Sequence, residues 1–333
     1  MSKSGKNCCF LSFLTLLFVL LINCAAFAAT IDSTQSNCPQ EMVLIPEGSF
    51  KIGSDNSGFV EERSAENVTV TSFCIDKYEL TNAQFAEFVQ ATGYVTVAER
   101  PLSKEEFPDL PDEQRSPGSL VFQIAKPGES FLSWWHWTTG ANWRHPFGPD
   151  SAMHAAKENH PVVHIAYEDA IAYAKWAGKS LPTEAQWEYA ARGGLDNTTY
   201  TWGNQYSEKK ANTWQGIFPF FNTTGDGYLG TAPVGSFPPN GYGLYDMAGN
   251  VWELTLDWFA LGHDSKAHSM NPTGPKQSFD LNKPAEIALH VIKGGSYLCA
   301  PNYCSRFRPA ARESQAPDTG TNHIGFRLVK NLK

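Results

Sequence analysis

The apolar positions of this chain follow three rhythms, and each predicts a different kind of segment. Between Met42 and Ile52 apolar and polar residues alternate around Pro46-Glu47-Gly48, the period of two expected of strands, so the stretch reads as a hairpin. Val68–Ile75 is a further strand candidate. Helical spacing begins at Thr81: Thr81 and Gln84 form a capping box, Phe85, Phe88 and Val89 mark one face, and Gly93 is the stop. Tyr167–Ala177 predicts a second helix, with Ile171, Ala174 and Trp176 on its packed side and Gly178 at its end. Thr183–Arg192 predicts a third, capped by Thr183 and Gln186 and closed by Gly193-Gly194. Beyond it helical periodicity is scarce. Short strand-like pieces (Thr231–Phe237, Val251–Trp258, His290–Ile292, Gly325–Val329) alternate with Gly, Pro and Asn turns. Residues 95–140 and 260–288 read as long irregular insertions, and no repeat is evident. The pattern describes one α+β domain over residues 41–333, poor in regular structure.

The third rhythm is an unbroken apolar run, Phe10 to Ile22, preceded by Lys3 and Lys6 and followed by Ala26-Phe27-Ala28. It reads as a signal peptide over residues 1–28, with a polar lead over 29–40. Phe10–Ala29 is just long enough to span a bilayer, so an uncleaved membrane anchor is the alternative. Export is expected either way, to the periplasm or the medium in a bacterial host.

Composition narrows the class. With 42% hydrophobic and 18% charged residues the chain can bury a large core, and its 10 Trp, 27 Gly and 21 Pro suit a loop-rich fold pinned by aromatics. A net charge of −8 without a Lys/Arg run excludes a nucleic-acid partner, which needs a concentrated basic face. Of seven cysteines, Cys8, Cys9 and Cys24 lie in the signal; Cys38, Cys74, Cys299 and Cys304 remain. In an oxidising compartment Cys38 and Cys74 are a candidate bridge across the N-terminal strands.

Cys299 and Cys304 have C-x4-C spacing, with Gly294-Gly295-Ser296 ahead and Pro301 between them. Spacing alone leaves them balanced between a structural disulfide and a reactive pair. Zinc would require further ligands, whereas two thiolates suit linear Cu(I). Any of Arg306, Arg308, Arg312 or Arg327 that lies near the sulfurs would favour their thiolate forms. Two other segments offer oxygen ligands for Ca²⁺: Asn212–Gly216 with Thr224–Tyr228, and Asp246–Glu253. Residues of these types also form ordinary turns, and that reading is weighted more heavily. His160 and His164 are expected to pack or hydrogen-bond, and Trp134-Trp135 could line a peptide groove.

The segments Met42–Gly48, Gly140-Ala141-Asn142-Trp143-Arg144-His145-Pro146, His160–His164, Gly178–Glu184, Gly241–Tyr245, Gly249-Asn250-Val251-Trp252-Glu253, Lys293–Ser296 and Gly325–Arg327 occur in this order. Together they resemble the formylglycine-generating enzyme, or sulfatase-modifying factor, family over almost the whole mature chain. The resemblance implies a fold related to the C-type lectins. It also implies oxidation of a cysteine in a Cys-x-Pro-x-Arg segment of an unfolded sulfatase polypeptide to Cα-formylglycine, with copper and O₂. Carried over, Cys299 and Cys304 would hold Cu(I), with Ser296 beside the oxygen-binding position. The first calcium would take Asn212, the Thr213 carbonyl, Asp226 and the Tyr228 carbonyl. The second would take Asp246, the Gly249 and Val251 carbonyls, and Glu253. Trp143 and Arg144 are candidates for the substrate groove. Asp246 stands where many members have Asn, and remains an oxygen ligand. Ala300 lacks a polar side chain some relatives carry, which puts a substrate contact in doubt. A non-catalytic binding module of the same fold and a metal-free thiol–disulfide oxidoreductase are the rival functions.

Overall fold

The computed structural model describes residues 38–332, apart from 106, 113–114, 125–129, 131–132, 152–156, 264–269 and 281–287. The targeting segment lies outside the described residues.

The chain opens with strands β1 (Met42–Ile45), β2 (Gly48–Ile52), β3 (Glu66–Val70) and β4 (Phe73–Asp76). The expected Met42–Ile52 hairpin does not form: β1 pairs antiparallel with β4, and β2 with β3. Val68–Ile75, read as one strand, is likewise divided between the two sheets. Alternation reports which face of a strand is apolar but says nothing about its partner. Here β1 turns away because the fully buried Ile45, Ile75 and Val329 form one layer. The Cys38–Cys74 disulfide fastens the chain to β4.

Helix α1 (Asn82–Thr92) carries the expected capping box, the Thr81 hydroxyl accepting from the Gln84 N–H, and ends at Gly93 in the left-handed conformation. β5 (Gly118–Phe122) and β6 (Trp135–Thr139) then pair antiparallel within a stretch read as irregular. β6 is half-exposed on both faces, so its Trp-His-Trp-Thr-Thr sequence has no alternation to read. Helix α2 (Tyr167–Trp176) buries Ala170, Tyr173 and Ala174. Trp176, expected on the packed side, is 45% exposed and touches only the rim at Phe88 and Tyr173. Helix α3 (Glu184–Arg192) is capped by Thr183 and Gln186 and buried along its whole length.

A small pair, β7 (Gly216–Ile217) and β8 (Phe221–Asn222), precedes the main sheet. That sheet contains β9 (Trp252–Trp258), β10 (His290–Lys293), β11 (Arg312–Gln315) and β12 (Ile324–Gly325), in the order β11-β10-β9-β12. β12 runs parallel to β9, and the other pairings are antiparallel. β13 (Val329–Asn331) joins β4, so the expected Gly325–Val329 strand is divided between two sheets. Thr231–Phe237 is not a strand. Its backbone makes single bonds instead of a ladder: the Val234 N–H donates to the Asn159 carbonyl and the Gly235 N–H to the Asp246 carboxylate.

Between α3 and the main sheet the core is ionic. Lys293 Nζ lies 3.0 Å from Glu188 and 3.4 Å from Glu184, while Arg192 and Arg312 hold the other sides of these carboxylates. Each charge is buried but paired, the condition under which burial is tolerated.

Candidate active site

β10 delivers the chain straight into Gly294-Gly295-Ser296. Gly294 and Gly295 have φ of +93° and +72°; a methyl on Gly295 would lie 2.9 Å from the Phe307 nitrogen. Only glycine combines that backbone with that approach. The chain therefore reverses tightly, burying Ser296, whose Oγ accepts from the Leu298 N–H at 3.2 Å. The Cys299 N–H donates to the Ser296 carbonyl, so serine and cysteine share one turn.

The two sulfurs of the pair are 2.9 Å apart and not bonded to each other. A covalent S–S bond is about 2.05 Å. Cys299 is buried and Cys304 half-buried at the mouth. Burial pushes the Cys299 thiol well up. The Cys304 thiol is lowered to about 7, chiefly because it accepts the Cys299 S–H, with the Arg306 charge assisting. The outer thiol is thus the more acidic of the two. Of the four arginines, Arg306 alone faces the sulfurs. Arg306 also pairs with Glu61 and Glu313, while Arg308 is engaged by Glu62, Arg312 by Glu184 and Arg327 by Glu253, since buried guanidiniums take the nearest carboxylate.

The two oxygen-rich segments pack behind this turn and are stitched to it and to each other. The Gly249 N–H donates to the Gly294 carbonyl, the Tyr297 N–H to the Asn250 carbonyl, and the Trp214 N–H to the Cys299 carbonyl, each at 2.9 Å. Asn250 sits at the centre. Its N–H donates to the Asn212 carbonyl, and its side-chain oxygen accepts from Asn212 Nδ2 at 3.0 Å and the Ala232 N–H at 2.8 Å. Its own amide donates to Glu79 at 2.6 Å. In the first segment Asp226 accepts from the Thr213 and Tyr228 N–H groups, and burial raises its pKa. Asn212 is also tied through Nδ2 to the Gly230 carbonyl.

In the second segment Asp246 accepts from the Gly235 N–H, and burial raises its pKa to about 6. Glu253 is fully engaged: Arg327 clasps both oxygens at 2.7 and 2.8 Å, and Trp187 Nε1 donates at 2.8 Å. Sequence reasoning missed Glu79. It lies far away in the chain just before α1, yet it is buried against this segment and accepts from the Val251 N–H. Burial and the Asp246 charge drive its pKa up.

Trp143 is buried and Arg144 half-exposed, stacked 4.2 Å over the Trp143 ring and paired with Glu99. Trp143 edges a cavity of about 40 Å³ that also touches Tyr297. Asn82 Oδ1, Trp143 Nε1 and Asn322 Nδ2, all from residues lining this cavity, have no hydrogen-bond partner among the described residues. Asn82 and Asn322 carried no sequence signal, since neither lies in a recognisable motif. His160 bonds Thr231, and His164 bonds Ser119 and the Pro146 carbonyl, as their packing roles require. Trp134 packs on Phe218 and Tyr303 beside the mouth.

Fold and site together define a pair of free thiols held at a tight turn of a loop-rich α+β domain. Residues 27–332 match the family model described as sulfatase-modifying factor enzyme 1-like domain. The formylglycine-generating enzyme of Mycobacterium tuberculosis is 50% identical, over 87% of this chain and 97% of its own length. A bovine (Bos taurus) relative named inactive C-alpha-formylglycine-generating enzyme 2 is 37% identical, over 86% of this chain and 87% of its own. Among solved structures, PvdO from Pseudomonas aeruginosa superposes with a TM-score of 0.59 at 26% identity, covering 89% of this chain and 96% of its own. The chain belongs to the formylglycine-generating enzyme family and has its α+β fold.

Proposed function

We propose that this chain oxidises a cysteine in an unfolded sulfatase, within a Cys-x-Pro-x-Arg segment, to Cα-formylglycine, using Cu(I) and O₂. The observation that carries the reading is the free pair Cys299–Cys304, which converges on one point of the surface from a rigid buried turn. Overall the substrate Cβ–S bond breaks and a Cβ=O bond forms. The substrate thiol, O₂ and two external thiols give the aldehyde, H₂S, water and a disulfide, the external thiols supplying two electrons. Cu(I) held by the two sulfurs would supply the one-electron chemistry that O₂ requires. The donor set fits, since soft thiolates select Cu(I). The sulfurs, 2.9 Å apart, would have to separate to admit a metal between them. Cys304, in an exposed turn, is the side chain free to open. Ser296 keeps the floor of the site polar, and the Cys299 contact, with the Arg306 charge assisting, favours the Cys304 thiolate.

Calcium fits the segments behind the turn. Gln215 Oε1 is buried without a partner among the described residues, and a methyl on Gly225, next to Asp226, would lie 2.7 Å from it; this unused oxygen supports an ion at the Asn212, Thr213, Asp226 and Tyr228 set. At the second set (Asp246, Gly249, Val251, Glu253) three buried carboxylates, Glu79 included, meet the single Arg327 guanidinium. A divalent ion would offset that excess. The two donors and one acceptor around the Trp143 cavity match a peptide group, which supports a substrate role for Trp143; Arg144 does not line that cavity and enters only through its stacking on Trp143. Export is supported by Cys38–Cys74, a bond that persists in oxidising compartments. Among the described residues no helix is long and apolar enough to cross a membrane.

The deciding experiment incubates the copper-loaded protein with O₂, a thiol reductant and a Cys-x-Pro-x-Arg peptide, and reads the peptide mass. Conversion of thiol to aldehyde is expected, and Cys299→Ser or Cys304→Ser abolishes it. Unchanged peptide with confirmed copper loading refutes the oxidase and leaves a binding module. Disulfide exchange on the peptide without aldehyde points to a metal-free oxidoreductase.

A further inference from the structure

The segment Gly216–Asn222 is a tight hairpin whose side chains are unusually apolar for their position. Ile217, Phe220 and Phe221 are 61%, 64% and 60% exposed. Ile217 and Phe221 are cross-strand partners and so share one face, and Phe220 stands at the turn, where its N–H donates to the Ile217 carbonyl. Single exposed apolar residues are ordinary; three large ones together on seven residues need a reason. Folding does not supply it, because the residues that anchor the hairpin are others. Phe218 stacks on Tyr303 at 4.5 Å and packs edge-on to Trp214 and Trp134. Trp214 Nε1 donates to the Phe221 carbonyl, and Asn302 Nδ2 to the Gly216 carbonyl.

Those anchors place the exposed face. Tyr303 precedes Cys304, Asn302 lies in the same turn, and Trp214 holds the Cys299 carbonyl. Tyr303 is itself 53% exposed, so apolar surface continues from the mouth of the dithiol site onto the hairpin. Residues 214–224 carry no charge, so the hairpin itself has none of the cations that a lipid-headgroup anchor would use; the nearest lysines in the chain, Lys209 and Lys210, lie before it. A chain that reaches the site unfolded, by contrast, presents apolar side chains on either side of its cysteine.

We propose that the Ile217–Phe221 hairpin is a docking element that binds apolar residues flanking the acceptor cysteine and so selects among unfolded polypeptides. The inference rests on the function proposed above and deepens it. Turnover is measured for two acceptor peptides that differ only in Leu/Val or Ser/Gly flanks, with the full chain and with an Ile217→Ser/Phe220→Ser/Phe221→Ser variant. The variant raises KM for the apolar-flanked peptide about tenfold, the ratio that 1.4 kcal/mol represents. Its KM for the polar-flanked peptide and its kcat stay within about twofold, and its Tm matches the parent. Equal KM changes for both peptides, or none, overturn the proposal. Binding of the same peptides with the cysteine replaced by Ala, read by fluorescence anisotropy, separates the two readings. Loss of apolar preference there supports docking even if oxidation fails. Sedimentation with phosphatidylcholine/phosphatidylserine vesicles that the variant loses, with peptide preference unchanged, identifies a membrane contact and also overturns it.

Discussion

Replacing Asn250 with Ala is the sharpest test of how the dithiol turn is supported. Asn250 is fully buried with φ of +56°, a backbone region that Asn tolerates and Ala does not. The substitution strands the Ala232 N–H, costing about 1–3 kcal/mol, and removes the donor to Glu79, about 0.5–1.5 kcal/mol more. Left-handed strain adds about 1 kcal/mol. Asn212 loses less, since its amide keeps the Gly230 carbonyl. Allowing for water entering the vacated space, the loss is on the order of 3–4 kcal/mol, a large share of a typical 5–15 kcal/mol. Urea unfolding at pH 7 measures it, and thermal unfolding should show a fall on the order of 10 °C. Asn250→Gly restores the backbone but not the bonds, so it should recover only about 1 kcal/mol. A loss below about 2 kcal/mol for Ala, or a Gly variant equal to the parent, would refute the hub argument.

Other consequences follow from neighbouring groups. Arg306→Gln in metal-free protein should move the pH midpoint of Cys304 alkylation upward from about 7, because a charge that favours the thiolate is gone; an unchanged midpoint would contradict that role. Lys293→Met should cost about 3–5 kcal/mol in urea unfolding, since Glu184 and Glu188 lose a buried cation at the entry to the Gly294 turn. Burial lowers the His164 pKa to about 4, below its unfolded value of about 6.5. Its contribution is therefore complete above pH 6.5 and lost as pH falls through 4. His164→Gln should flatten that part of the stability–pH curve by about 1.4 kcal/mol per pH unit, and an unaltered slope would exclude His164 as the titrating group. Calcium chelation should lower Tm, and a Tm insensitive to chelator would remove calcium from both segments.

Thr81, Thr183, Gly93 and Gly193 made the helices legible because capping and termination are local: the bonds lie within four residues of the signal. The strands were legible as apolar faces but not as pairs. β1 and β2 went to different sheets because partner choice depends on which buried side chains must share a layer. The site divides along the same line. Cys299, Cys304, Ser296 and the glycines before them sit within eleven residues, so the sequence by itself determined the thiol pair and its turn, but not whether the sulfurs are bonded. That the two sulfurs meet unbonded with the outer one the more acidic, that Arg306 and not its neighbours faces them, and that Glu79 and Asn250 brace the turn were decided only by tertiary structure. Those properties arise from burial and from contacts between residues distant in the chain, which the order of side chains does not display.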